Sequence, residues 1–411
     1  MNLPLRSMLH TGLVSSGRIA IAGSAFIITL ILIKHFNPEQ YGTLVTVTTF
    51  MALLPMFMDF GTTFSIVRFG ALFGSAGDNT SMALIFKGIF WLRIIIGLLI
   101  VAAGLACAGW ISTVFFHDDG AAAWVSWAFL GSFAMAMVLF VQAILQTHER
   151  FIAYSMLNMC EGLGKLACIA AAVYLFATGV SGVVMVYVLV PPVLFIIGAV
   201  VIKWSFLTTS RRPGDPQVLR RLFHYSKWII VANICMIVFS NMDILMLAAM
   251  RGTTETGLYG GAFKLAAVVQ VLTSSITVVL MPKVAKLRTK ERLTRFLLRS
   301  SMYLTGLILL MVPGVLAGRQ ILLTVAGAEY IAAVPIFRLL YLDNLLTFLL
   351  VPLLLWIFAI NRPVIYAVVG IAELLLNLVG NMICIPAFGA LGAAWVTLLA
   401  RLVSGGAGGY L

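Results

Sequence analysis

The chain reads as an all-α integral membrane protein, with about twelve transmembrane helices in two pseudo-symmetric six-helix bundles. Three observations predict this. Of 411 residues, 62% are hydrophobic and only 10% charged, whereas a soluble domain is about half apolar and a quarter charged. Mean hydropathy is +1.08, and no polar stretch is long enough for a separate soluble domain. The apolar runs are continuous rather than alternating, which argues for helices over barrel strands.

A helix crosses the hydrocarbon core with about 20 apolar residues. Cutting the chain at its polar turns predicts spans over 14–35, 41–66, 83–109, 122–146, 152–176, 181–203, 227–250, 256–281, 297–317, 331–359, 363–385 and 389–410. The first is expected to be a span and not a cleaved signal, because no small-residue cleavage site follows the run from Gly17 to Lys34. Pro55 interrupts span two, Pro191-Pro192 span six, Pro313 span nine, and Pro335 and Pro352 span ten; each removes a backbone donor and can kink its helix. The run Gly405-Gly406-Ala407-Gly408-Gly409 forms helix poorly, so either span twelve is expected to be loosely packed or the chain is cut short.

Orientation follows from base in the loops. Lys203, Arg211, Arg212, Arg220, Arg221 and Lys227 lie between spans six and seven, and Lys283, Lys286, Arg288, Lys290, Arg292, Arg295 and Arg299 between eight and nine. The opposite loops carry only Lys34, Arg251 and Arg319. By the positive-inside rule the basic loops are cytoplasmic, and so are both termini. The net charge of +13 is thus topological, with a secondary attraction to anionic headgroups, and no nucleic-acid partner is expected. Cys107, Cys160, Cys168, Cys235 and Cys384 all lie in apolar runs without CxxC or His spacing, so neither a disulfide framework nor a metal is expected.

A faint internal echo supports two halves. Glu39-Gln40-Tyr41-Gly42 opens span two, and Gly257-Leu258-Tyr259-Gly260 opens span eight. The expected organisation is a bundle at 1–203, a basic cytoplasmic linker at 204–226 and a second bundle at 227–411. Transporters commonly place their site at such a repeat interface.

Ten charges lie well inside the spans, away from their ends, and each costs about 2.5–3.5 kcal/mol on insertion scales unless it faces the bundle interior or water. The bases Arg93, Lys264, Arg338, Arg401 and Lys165 are candidate substrate contacts. The acids Asp59, Glu161, Asp243, Asp343 and Glu373 are candidate ion-coupling groups. The signs balance, so each charge can instead neutralise another. Glu161 and Lys165 stand four apart in the favourable order. Arg338 and Asp343, five apart, point to different faces. Arg93 lies near mid-depth with nothing on its own span to pair with; its alternatives are substrate or a partner such as Asp59. Asp243 and Lys264 flank one tight turn and are placed to meet, as are Glu373 and Arg401.

Two stretches are more specific. One is Asp243-Ile244-Leu245-Met246-Leu247 followed by Glu255-Thr256-Gly257-Leu258-Tyr259-Gly260-Gly261-Ala262. The other is Leu376-Asn377-Leu378 with Ile385-Pro386-Ala387-Phe388-Gly389-Ala390-Leu391-Gly392-Ala393-Ala394. Between them lies Ala326-Gly327-Ala328-Glu329-Tyr330-Ile331-Ala332-Ala333, and near the N-terminus Pro38-Glu39-Gln40-Tyr41-Gly42 and Asp59-Phe60-Gly61. In this order and spacing they resemble the polysaccharide-transporter (O-antigen flippase) branch of the multidrug/oligosaccharidyl-lipid/polysaccharide exporter superfamily. The resemblance implies two bundles forming a V about a central cavity, with rocker-switch alternating access. The implied cargo is an oligosaccharide on undecaprenyl diphosphate, moved across the bacterial cytoplasmic membrane. Membrane lipids, a polysaccharide polymerase and other assembly proteins are the implied partners, and no cofactor is expected. A diphosphate carries about two negative charges, which guanidinium or ammonium groups would hold.

Other classes fit less well. An enzyme on polyprenyl-linked sugars needs acids in a sizeable outer loop. The one adjacent pair, Asp118-Asp119, sits in a short turn, and no phosphate loop, HExxH or GxSxG is suitably placed. A multidrug or cation exporter of the same superfamily wants an acid- and aromatic-lined cavity, against five intramembrane bases. A passive scaffold has no use for ten costly charges.

Overall fold

In lipid every backbone polar group must be satisfied within the protein, and continuous apolar runs do this as helices. The structure, a computed structural model, describes residues 3–202, 204–208, 216–284, 290–359 and 363–410. No strand occurs among the described residues. The helices are α1 (Leu3–His35), α2 (Pro38–Asp59), α3 (Thr62–Ser75), α4 (Asn79–Ala106), α5 (Ala108–Phe116), α6 (Ala122–Thr147), α7 (Phe151–Ala170) and α8 (Val180–Val201). They continue as α9 (Pro216–Arg251), α10 (Thr253–Ala266), α11 (Val268–Val284), α12 (Lys290–Met311), α13 (Pro313–Leu316), α14 (Gly318–Val325), α15 (Val334–Ala359) and α16 (Pro363–Tyr410). Among the described residues, nine helical stretches are long and apolar enough to cross a membrane, or ten with one bent pair, and one of them, Val368–Val403, is 36 residues long. That stretch holds the eleventh and twelfth expected spans, bent at Gly389 (φ 58°).

Contacts divide the chain into two units. The first comprises Met1–Ile28 and Val47–Ile230; the second comprises Thr29–Thr46 and Val231–Leu411. The tips of the first two spans, which the sequence placed with the first bundle, are therefore grouped with the second. Much of the expected linker is also ordered: Trp204–Thr208 form a 3-10 turn and α9 starts at Pro216. The parts of the two basic loops at 209–215 and 285–289 lie outside the described residues.

In the first unit α6 is the inner helix and packs against α3, α4 and α8. Its core joins Ile85, Phe86, Ile89, Phe140, Ile144 and Phe206, with Phe90 and Trp204 against it. The expected second span does not run through to 66. It ends at Asp59, where Phe60 (φ 46°) and Gly61 (φ 69°) turn left-handed before α3. A bulky residue in that region is uncommon.

In the second unit the start of α2 crosses the start of α10. A β-carbon on Gly42 would lie 1.8 Å from Thr253 O, and one on Gly257 would lie 1.7 Å from Pro38 O. Only glycine permits this approach. The register pairs Gly42 with Gly257, three residues away from the one that aligns Tyr41 with Tyr259. The expected eighth span is broken, since α10 and α11 meet at a 40° bend. The final glycine run is helical to Tyr410. Gly405 packs so closely on α15 that an added β-carbon would come within 2.7 Å of Leu350.

Candidate functional site

The ten intramembrane charges sort into closed and open groups. In the first unit, Asp59 closes α2 and faces the start of α3. Its Oδ1 accepts from Thr63 N (3.0 Å), Thr63 Oγ1 (2.9 Å) and Thr62 Oγ1 (2.9 Å). Arg93 reaches it from α4 as an ion pair. The same guanidinium donates from Nε to Thr62 Oγ1 (3.0 Å), from Nη1 to Ala136 O (3.0 Å) and from Nη2 to Thr63 Oγ1 (2.8 Å). Phe140 lies beneath it at 5.4 Å, and Arg93 is 1% exposed. Every face of this cation is therefore occupied.

Glu161 and Lys165 pair at 3.5 Å along α7, with Lys165 also 5.4 Å from the Tyr187 ring. Beside them, Gln142 Nε2 donates to Asn158 Oδ1 at 3.0 Å.

In the second unit, Arg401 takes two acids: Nε lies 3.3 Å from Asp343 Oδ1 and Nη1 lies 3.1 Å from Glu373 Oε1. The Phe239 ring sits 4.9 Å from the guanidinium. One base thus faces two buried acids.

Asp243 is held differently. Its Oδ2 accepts from Tyr259 OH (2.5 Å) and lies 2.6 Å from Thr397 Oγ1, and its Oδ1 accepts from Asn381 Nδ2 (2.6 Å). Asn381 also donates to Asn377 Oδ1 at 3.0 Å. All these partners are neutral, and no described base is within ion-pair distance. Asn381 Oδ1 is buried without a hydrogen-bond partner among the described residues. Asp243 is 5% exposed, so α9, α10 and both arms of α16 enclose a carboxylate with no counter-charge among the described residues. An orphaned acceptor lies beside it. The carboxylate, its two hydroxyl neighbours and the buried Asn381 Oδ1 offer oxygen ligands of net negative charge beside one amide N–H, and such a group suits a proton or a hard monovalent cation.

Lys264 does not pair with Asp243. It is exposed on the last turn of α10, 5.9 Å from the Phe263 ring, and no described acid is within ion-pair distance. It stands three residues before the bend between α10 and α11. Discontinuous helices of this kind line transporter sites. Arg338 is also exposed, with Nε 3.2 Å from Val315 O, and likewise has no described acid partner. Tyr259, Asn377, Asn381 and Thr397 were not singled out as site residues. The Asn377–Asn381 spacing, one helical turn on an apolar span, was the available signal.

The family described as "Polysaccharide biosynthesis protein" matches residues 10–288. A "Probable low-salt glycan biosynthesis flippase Agl15" of Haloferax volcanii is 24% identical over 246 residues, 58% of this chain and 51% of that protein. The chain thus aligns with about half the length of this curated relative. Among solved structures, an inward-facing multidrug resistance MATE family transporter of the MOP superfamily matches with a TM-score of 0.74 at 14% identity, over 97% of this chain and 96% of that one. The lipid II flippase MurJ in an inward closed conformation matches with a TM-score of 0.74 at 13% identity, over 96% of this chain and 86% of that one. At these identities the structures show a shared fold.

Proposed function

Because the chain belongs to the polysaccharide biosynthesis protein family, a multi-pass membrane family of transporters, we propose that it flips an undecaprenyl-diphosphate-linked oligosaccharide. Transport runs from the cytoplasmic to the periplasmic leaflet by alternating access, in the making of O-antigen, capsule or exopolysaccharide. The protein works in the bacterial cytoplasmic membrane with both termini cytoplasmic. The observation that carries the reading is Lys264, an exposed base in a broken membrane helix with no described acid to neutralise it. It is the phosphate contact, and Arg338 is a second base of the same unit. Arg93, Lys165 and Arg401 serve instead to neutralise acids.

Asp243 is the coupling group, taking up and releasing a proton or sodium ion. Coupling adds to a drive that already exists. An inside-negative potential supplies about 2.3 kcal/mol per charge per 100 mV, so two outgoing negative charges gain about 4.6 kcal/mol if they cross the whole field. The excess of buried acid in the second unit favours, as a second reading, export of cations or drugs.

The test is complementation of a bacterium lacking its own O-unit flippase, scored by surface polysaccharide. Lys264→Ala is expected to reduce export about tenfold or more, as for one lost charge-assisted contact, and Lys264→Arg to retain it. Full export by a normally inserted Lys264→Ala would remove Lys264 from the site. In liposomes, uptake of cationic drugs with no movement of lipid diphosphates would replace the flippase by the exporter.

A further inference from the structure

A cavity at one end of the first unit belongs to none of the groups above. It occupies about 590 Å³, within the range of small-molecule sites. It lies where α3 turns into α4, α6 turns into α7, and the chain leaves α8 for the basic segment around 203–227. Its floor is buried and apolar: Phe86, Ile144, Leu145, Ile202 and Phe206. Its rim is polar and exposed, with Asn79, His148, Arg150 and Ser205.

Arg150 is fixed at the rim, because its Nη1 donates to Val201 O at 2.8 Å. No described acid is within ion-pair distance of it, which leaves the rest of the planar fork for an anion. His148 lies edge-on to Phe86, 5.8 Å between ring centres, and so joins the polar rim to the apolar floor. The acids of this end are accounted for. Asp78 folds its carboxylate onto Ser81, whose side-chain hydroxyl first and backbone N–H (3.0 Å) second hold its pKa below the usual carboxylate value. Glu149 is exposed on the turn, outside the lining. The lining therefore offers one fixed cation, an imidazole and hydroxyl and amide groups above an aromatic and aliphatic base.

We propose that this cavity binds an anionic phospholipid, with the phosphate at Arg150, His148 and Ser205 and the upper part of one acyl chain over Phe86 and Phe206. A basic pocket between membrane helices at the polar boundary is suited to such a headgroup, and the partial apolar floor is what distinguishes a lipid from free phosphate. The proposal is independent of what the protein transports.

The experiment uses the purified full chain with a photoactivatable phosphatidylglycerol, and labelled peptides are mapped. Labelling is expected within 79–86 or 144–150. Arg150→Gln should reduce it about tenfold, as for one charge-assisted phosphate contact. Ala83→Phe, which fills the cavity without altering charge, should do the same, and it stands in if Arg150→Gln does not fold. Equal labelling of both variants and the parent would overturn the site. So would equal labelling by the matching phosphatidylcholine. Thermal stabilisation by millimolar inorganic phosphate, with no further gain from phosphatidylglycerol, would overturn the lipid as ligand.

Discussion

Asp59 and Asp243 are both buried carboxylates in membrane helices, one in each unit, and they are balanced in opposite ways. Asp59 has a guanidinium, two hydroxyls and a backbone N–H around it. Asp243 has a phenol, a hydroxyl and an amide. Taking a charge out of water costs several kcal/mol, and the cost is offset by an opposite charge, in part by hydrogen-bond donors, or by neutralisation. The first unit meets it with Arg93 and is closed. Among the described residues, the second has no cation for Asp243 and brings Arg401 to both Asp343 and Glu373. The first group is closed by its own counter-charge, and the second is where the proposed coupling to a proton or ion is placed.

The strongest way to break this comparison is to open the closed group. Arg93→Ala leaves Asp59 buried without its counter-charge. Breaking such a pair costs about 3–5 kcal/mol, which is expected to appear as poor insertion or a large fall in Tm by size-exclusion assay. Replacing both partners, Asp59→Asn with Arg93→Met, should recover most of that loss. A well-folded Arg93→Ala that fails only in export would return Arg93 to the substrate and end the contrast.

A smaller effect on stability, with a large one on function, is expected on the other side. Asp243→Asn keeps an acceptor for Tyr259 and Thr397 and removes the charge that lacks a counter-ion. Tm should move by no more than about 1 kcal/mol equivalent, the scale of one net hydrogen bond. Export and its dependence on pH or sodium should collapse. An unchanged export rate and pH profile would make Asp243 structural, like Asp59.

What the sequence could disclose follows the same division. The helical class, the family likeness and the approximate spans were legible because they rest on continuous apolar runs and local motifs. The bend at Gly389 lies within the Pro386-to-Gly392 motif. The break at Ala267 was not legible: Leu265-Ala266-Ala267-Val268 contains neither proline nor glycine. Likewise Glu161–Lys165 is a local pair and visible as one, whereas the Asp243 group gathers Tyr259 from α10 and Asn381 and Thr397 from the two arms of α16. Such convergence is tertiary, and only the Asn377–Asn381 repeat hinted at it. Lys264 and Asp243 flank one turn, yet they face different surroundings.

The smallest expected effect concerns a third carboxylate, Glu255, which shares one feature with Asp59. Each accepts from a backbone N–H at the start of a helical segment: Asp59 from Thr63, and Glu255 Oε2 from Ala390 N at 2.8 Å, just past the Gly389 bend. Glu255 differs in being half-exposed, with Arg251 Nε at 3.5 Å on its own side of the turn. Exposed ion pairs contribute about 0–1 kcal/mol and are screened by salt. Glu255→Gln keeps the acceptor, so its Tm should fall only slightly, and less at high salt. Gly389→Ala should cost more, because φ is 58° and the added β-carbon would meet Glu255 Oε2 at 2.0 Å. If Glu255→Gln proved as damaging as Arg93→Ala, charge at the bend of α16 would be structural too. The second unit would then be closed at this bend as well as open around Asp243.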